Sequence, residues 1–212
     1  MDLAQYIDHT LLKPTATSLD IINLCSEAKQ HQFYAVCVNG CFVALAQKQL
    51  MGSGVKLAAV IGFPLGAMST ASKVAEAKNC VENGADEIDM VINIGWLKEG
   101  LYDSITSEIA SIKEAIQGKV LKVIIETCFL NEEEKSRACK LIIAAKADFV
   151  KTSTGFGTGG ATLGDVELIK NTVKGLAAIK ASGGIKDKTT ALRYIEMGVS
   201  RIGTSSGIAI VN

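Results

Sequence analysis

Histidine is nearly absent from the chain. His9 and His31 are the only two, and their separation matches no metal-ligand spacing. A metal centre built mainly from imidazoles is therefore not expected. The six cysteines (Cys25, Cys37, Cys41, Cys80, Cys128 and Cys139) never form a Cys-x-x-Cys pair, and most sit among apolar neighbours. That pattern reads as reduced thiols in a cytoplasmic protein, behaving as small hydrophobes. Net charge is missing too. Twenty-two basic residues balance 22 acidic ones, which leaves no electrostatic footprint for a nucleic acid or other polyanion. The longest apolar runs are strand-sized and interrupted by glycine or charge, so no membrane contact is expected. Met1-Asp2-Leu3-Ala4-Gln5 has none of the basic, apolar-cored character of a signal segment. With 48% apolar residues among 212, disorder is excluded, and one domain spanning 1–212 with a large core is expected.

What the chain does have is a steady alternation of strand-like and helix-like segments with short breaks. Strands are predicted at Tyr6–His9, Tyr34–Val38, Lys56–Ile61, Glu87–Val91, Leu121–Ile125, Phe149–Lys151, Leu176–Lys180 and Arg201–Gly203. Between them, Ser18 reads as the cap of a helix with Leu19, Ile22, Cys25 and Ala28 on one face. Further helices are predicted over Gly40–Leu50 and Thr70–Asn83, and around Ile105, Ile109, Ile112 and Ile116. Asn131 with three following glutamates, Thr162 with Asp165, and Asp187 read as helix starts, and Thr204–Asn212 as a last helix. Eight strand–helix units predict a (β/α)8 TIM barrel with short loops and a short N-terminal lead-in, leaner than the roughly 250 residues typical of that fold. An open doubly wound sheet is the structural alternative.

Two strands end in the same unusual way. Phe149-Val150-Lys151 is followed by Thr152-Ser153-Thr154-Gly155, and Ala178-Ile179-Lys180 by Ala181-Ser182-Gly183-Gly184. A strand covered on both faces favours apolar residues throughout, so one lysine reads as a strand-end charge reaching water, but two consecutive copies point to chemistry. Active sites of barrels lie at the carboxyl ends of the strands. Those ends also carry Asp8 and Thr10, Cys37 and Asn39, Asp89 and Asn93, and Glu126 and Thr127. Asp89 lies inside Ile88-Asp89-Met90-Val91, where a carboxylate is costly unless it is functional or pairs with a lysine. Glu126 reads as a plain salt-bridge partner, and Cys37 and Cys41 as core or pocket wall. Gly183-Gly184 and Gly203-Thr204-Ser205-Ser206-Gly207 sit where barrels often hold a phosphate, although glycine loops alone are a weak signal. Two lysines and a carboxylate beside such a pocket describe imine chemistry. One lysine must attack as the free amine, helped by a neighbouring cation, while the carboxylate moves protons.

Over nearly its whole length the chain resembles the deoxyribose-phosphate aldolase family. The match is carried by Ile7-Asp8-His9-Thr10-Leu11-Leu12, Tyr34-Ala35-Val36-Cys37-Val38-Asn39, Glu87-Ile88-Asp89-Met90-Val91, Val150-Lys151-Thr152-Ser153-Thr154-Gly155, Ile179-Lys180-Ala181-Ser182-Gly183-Gly184-Ile185 and Gly203-Thr204-Ser205-Ser206. The resemblance implies a cytoplasmic class I aldolase of deoxyribonucleotide catabolism that needs no metal or organic cofactor. It implies reversible cleavage of 2-deoxy-D-ribose 5-phosphate to D-glyceraldehyde 3-phosphate and acetaldehyde. It assigns the Schiff base to Lys151, its perturbation and part of a proton relay to Lys180, and acid–base work through water to Asp89. Gly155, Gly183, Gly184, Ser205 and Ser206 would line the phosphate end, and a homo-oligomer, dimer or tetramer, is expected.

Two departures from the family pattern stand out. Phe156 occupies a position where some members carry a lysine, and no tyrosine follows Tyr194. Phosphate affinity and the proton-transfer rate are the properties they bear on. Two other readings compete with this one. One is an imine-forming aldolase for a keto acid or ketose phosphate, and the other is a non-catalytic phosphate-binding barrel whose lysines only neutralise an anion.

Overall fold

Eight parallel strands close into a barrel in the computed structural model, which describes residues 2–212. A 3-10 turn at Leu3–Tyr6 leads into β1 (Ile7–Leu11) and α1 (Ser18–Gln30), followed by β2 (Ala35–Asn39), α2 (Val43–Leu50), β3 (Lys56–Ile61) and α3 (Thr70–Glu82). β4 (Glu87–Val91) precedes two helices, α4 (Ile94–Glu99) and α5 (Tyr102–Ala115). β5 (Val120–Ile124), β6 (Phe149–Lys151) and β7 (Ala178–Ser182) lead to α6 (Glu132–Ala144), α7 (Leu163–Val173) and α8 (Lys188–Glu196). β8 (Arg201–Thr204) and α9 (Gly207–Val211) complete the order. The sheet has no free edge, because β8 pairs back onto β1 with Gly203 opposite Asp8. That pairing decides for the barrel and against an open sheet. Among the described residues, no helix is long and apolar enough to cross a membrane.

Successive side chains of a strand point to opposite faces, and here the two faces differ in chemistry. Val36, Val38, Leu57, Ala59, Ile61, Ile88, Met90, Leu121 and Val123 belong to one core with helix residues such as Ile21, Ala77, Ile109, Ile142 and Ile169. The intervening positions face the barrel axis. On the β1–β3 side they form a small apolar cluster of Leu12, Cys37, Ala58 and Val60, with Phe63 packed against it. Around the rest of the axis stand buried charges: Asp8, Glu87, Asp89, Lys122, Lys151, Lys180 and Arg201. Barrel interiors are usually filled by branched apolar side chains.

Local differences from the sequence expectations have local causes. Thr17, not Ser18, caps α1, accepting from the Asp20 N–H while Asp20 accepts from the Thr17 N–H. The buried stripe of α1 is Ile21, Leu24, Cys25 and Ala28, whereas Leu19 and Ile22 are exposed. A strict three-residue repeat drifts around a helix of 3.6 residues per turn, so it cannot stay on one face. The unforeseen α4 starts at Asn93, which accepts from the Trp96 N–H, and ends at Gly100 in the left-handed region (φ 77). Thr162 caps α7 with the Asp165 N–H, but the reciprocal half of a capping box is missing because the Asp165 carboxylate takes Lys135 Nζ at 2.6 Å. The caps at Asn131 and Asp187 form as expected.

One buried ion pair outside the barrel holds the end of β4. Lys73 of α3 is fully buried, and its Nζ donates to the Val91 carbonyl at 2.9 Å and to Glu108 Oε1 at 2.6 Å. Thr70 Oγ1 donates to the other Glu108 oxygen at 3.1 Å. Burial pushes the Lys73 ammonium below its ordinary value, and Glu108 recovers part of that. Removing one partner of such a pair strands the other without a counter-charge. Lys73→Met is therefore expected to cost about 3–5 kcal/mol in urea unfolding, with most of it regained when Glu108→Leu is added. Equal losses in the single and double variants would contradict this.

Candidate active site

The charges inside the barrel are joined in a closed cycle. Asp89 Oδ1 accepts from Lys122 Nζ at 2.7 Å, and the same Nζ meets Glu87 Oε2 at 2.5 Å. Glu87 Oε1 accepts from Arg201 Nη2 at 2.9 Å, and Arg201 Nη1 donates to Asp8 Oδ1 at 2.7 Å. The other Asp8 oxygen accepts a short bond from Lys180, whose Nζ also donates to Asp89 Oδ2 at 2.9 Å. Acids and bases alternate around this cycle, three of each: Asp89, Lys122, Glu87, Arg201, Asp8 and Lys180. Lys151 hangs outside it, donating to Asp89 Oδ2 at 2.8 Å. β6 and β7 pair with Lys151 opposite Lys180, which brings both ammonium groups to one oxygen.

Charge states follow from this wiring. Burial by itself would raise both carboxyls. The charges of Lys180, Lys122 and Arg201 nevertheless hold Asp8 at about 2, and Lys122, Lys151 and Lys180 hold Asp89 well below the usual carboxylate range. Burial likewise disfavours the ammonium of Lys180, yet Asp8 and Asp89 carry it above an ordinary lysine. Lys122 is raised against the same burial cost, first by Asp89. Every member of the cycle with a resolved shift is therefore fixed in its charged form near neutrality. Cys37 is pushed up, first by burial and then by Asp89, so it stays a thiol and a wall residue.

Above Lys151 opens a cavity of about 390 Å³ at the carboxyl ends of the strands. Lys151 lines it, whereas Lys180 and Asp89 lie beneath, fully buried. Of the expected anion-site residues, Gly155, Gly183, Gly184 and Ser205 line this cavity and Ser206 does not. The Ser206 N–H is turned onto Thr204 Oγ1 at 2.9 Å as α9 begins. Two cations that the sequence reading passed over, Lys13 and Lys186, also line it, as does Phe156. Phe156 meets Phe63 edge-on, with centroids 5.3 Å apart, and forms an apolar side to the mouth.

The two lysine strands are stapled together beyond their ends. Thr152 Oγ1 donates to the Ser182 carbonyl at 3.1 Å, and Ser182 Oγ donates to the Ser153 carbonyl at 2.6 Å. Glu126 is no salt-bridge partner. It is held in the left-handed region (φ 52) and accepts from the Thr154 N–H at 3.2 Å and from the Thr154 hydroxyl, shaping the loop after Lys151. Lys122, Glu87 and Arg201 were not singled out from the sequence. Lys122 could have been, because it interrupts Leu121-Lys122-Val123 as Asp89 interrupts its own strand. Among the described residues no three His, Cys, Asp or Glu side chains gather as a metal site.

The chain that builds this arrangement is similar to known proteins over its whole length. The model of the DeoC/LacD family aldolases matches residues 3–211. The deoxyribose-phosphate aldolase of Finegoldia magna is 57% identical over 211 residues, covering 100% of this chain and 99% of that protein. A solved structure described as an aldolase superposes with a TM-score of 0.96 at 45% identity, covering 100% of this chain and 95% of its own. The tetrameric deoxyribose phosphate aldolase of Aeropyrum pernix superposes at 0.92 with 34% identity, covering 99% and 89%. Matched from end to end in sequence and in fold, the chain belongs to the DeoC/LacD family of aldolases.

Proposed function

We propose that this aldolase reversibly cleaves 2-deoxy-D-ribose 5-phosphate to D-glyceraldehyde 3-phosphate and acetaldehyde through an imine on Lys151. The observation that carries this reading is the position of Lys151. It is the one lysine of the buried network that reaches the cavity, and it stands outside a cycle whose charges already balance. An amine attacks a carbonyl only as the free base, and a neighbouring cation favours that form. Lys180, held charged by two carboxylates, is such a cation.

The steps follow from this placement. Lys151 Nζ adds to the substrate aldehyde at C1, and loss of water gives the iminium ion, which the ionised Asp89 stabilises from below. Removal of the proton on the C3 hydroxyl breaks the C2–C3 bond, and its electrons flow into the iminium to leave an enamine on Lys151. Glyceraldehyde 3-phosphate departs, C2 takes up a proton, and water releases acetaldehyde. Asp89 and Lys180, 2.9 Å apart, act on these protons through water, each leaving its charged form only within a proton transfer and returning to it afterwards.

At the far end of the cavity Gly155, Gly183, Gly184 and Ser205 offer an anion close backbone approach. Gly183 and Gly184 adopt φ of 87 and 81, a region open to glycine at little cost. Lys13 and Lys186 supply positive charge where Phe156 supplies none. Ser206 contributes by starting α9 rather than by contact. The same proposal includes a role in deoxyribonucleotide breakdown in the cytoplasm, carried by one barrel domain. It also includes a homo-oligomer, supported by the exposed Leu19 and Ile22 on α1.

Borohydride reduction in the presence of acetaldehyde, followed by peptide mass mapping, tests the imine. Stoichiometric label on Lys151 alone is the expected result. Label only on Lys180 would exchange the two roles, and absence of label would end the imine reading. A trapped adduct with pyruvate or dihydroxyacetone phosphate but none with acetaldehyde would favour a different aldol donor.

Substitution at the strand-eight loop tests the phosphate end. Ser205→Asp sets a carboxylate against the phosphate and is expected to raise KM for deoxyribose 5-phosphate at least tenfold, about 1.4 kcal/mol, with far less effect on deoxyribose. Ser206→Asp should do less, because that side chain lies outside the cavity lining. Equal losses on both sugars would place the phosphate elsewhere.

A further inference from the structure

The floor of the barrel holds a pair of charges that no reacting atom touches. Glu87 begins β4 and Arg201 begins β8, both are buried, and neither lines the cavity. The Arg201 guanidinium lies over the Tyr34 ring, 3.2 Å from its centroid, so an aromatic side chain covers the pair from one side. Read alone, Glu87–Arg201 is an ordinary buried ion pair. Its two outer contacts give it a further role. Glu87 also holds Lys122, and Arg201 also holds Asp8. Lys122 and Lys180, the latter bonded to Asp8, are the two cations that share Asp89 with Lys151. The floor pair thus closes the cycle beneath the reacting amine.

We propose that Glu87 and Arg201 are positioning residues that set, by charge, the pH range in which Lys151 forms its imine. The proposal rests on the aldolase reading above. The charge balance makes its sign definite. Asp8, Glu87 and Asp89 offset Lys122, Lys180 and Arg201, so the cycle is neutral and a protonated Lys151 adds one positive charge. The Cys37 thiol of β2 also faces this interior, and Lys13 and Lys186 line the cavity that Lys151 enters. β3 contributes Ala58 and Val60 to this interior, and Lys56, two residues earlier on the same face, is exposed at the start of the strand. Glu87→Gln leaves the cycle with one excess positive charge, which opposes a proton on Lys151. Arg201→Met leaves one excess negative charge, which favours that proton. The acid limb of imine formation should therefore move to lower pH in the first variant and to higher pH in the second, each by roughly one unit. A pair that only held the fold together would lower stability in both variants without opposite shifts.

The test is the initial rate of borohydride-trappable adduct formation with acetaldehyde across a pH series. It compares wild type, Glu87→Gln, Arg201→Met and the double variant, with thermal unfolding of each sample followed in parallel. Opposite shifts in the single variants, and a double variant restored to within a few tenths of a unit of wild type, are expected. If Arg201→Met does not fold, Arg201→Gln takes its place, and Arg201→Lys, which keeps the charge, should hold the wild-type midpoint. Shifts in the same direction, or none in folded variants that still form the adduct, would overturn the proposal. Absence of adduct in the wild type would overturn the aldolase reading itself, and this proposal with it.

Discussion

The structure depends on a closed ring of ion pairs inside the barrel. Asp89, Lys122, Glu87, Arg201, Asp8 and Lys180 each touch two neighbours of opposite sign. Removing a charge from water costs several kcal/mol even after relaxation, and six such groups would be ruinous as isolated ions. Alternation is what makes the set tolerable. Every carboxylate oxygen of the ring faces a cation at close range in a medium where attraction is strong. The period-two pleat makes this possible, because β1, β4, β5, β7 and β8 all present alternate residues to the same axis. Deleting any single member takes from each of the two beside it one of its counter-charges.

A ring that balances itself leaves Lys151 as the group without a dedicated counter-charge. It shares Asp89 Oδ2 with Lys180 rather than owning a carboxylate. Its position, at the end of β6 and 2% exposed, lets it meet a small carbonyl while the charges below stay dry. The expensive part of the site is therefore buried and fixed, and the amine proposed to react stands at the top of the stack. The apolar cluster of Leu12, Cys37, Ala58 and Val60, with Phe63 against it, adds no further charge to disturb that balance.

Much of this was legible in the sequence, for a physical reason. A charge inside a strand that is apolar on both sides has few explanations, and Asp89 stood out on that ground, while Lys151 and Lys180 stood out because two consecutive strands end in a lysine followed by small residues. The alternation of strands and helices was equally plain, and the closure of β8 onto β1 followed it. Glu87 and Arg201 were not legible, because a charge at the first position of a strand ordinarily reaches water. Only three-dimensional closure shows that these two face inward and meet. Lys122 carried the same mid-strand signal as Asp89 and was passed over. Lys13 and Lys186 lie in loops, where a lysine is the expected surface residue. Ser205 and Ser206 could not be told apart as neighbours at one strand end, since the turn into α9 decides which one faces the cavity. The short α4 was hidden because six residues make less than two turns, too few to show a periodicity.

The central claim is that the ring keeps its lysines charged, so that chemistry falls to Lys151. Site-resolved nitrogen-15 NMR of the lysine Nζ groups, followed as the pH is raised, tests it most directly. Burial alone would bring Lys122 and Lys180 down toward neutrality, and the carboxylates around them carry both above the ordinary lysine value instead. Their ammonium signals should therefore persist up to the highest pH at which the protein stays folded. Loss of the ammonium signal of Lys122 or Lys180 near neutral pH would contradict the claim.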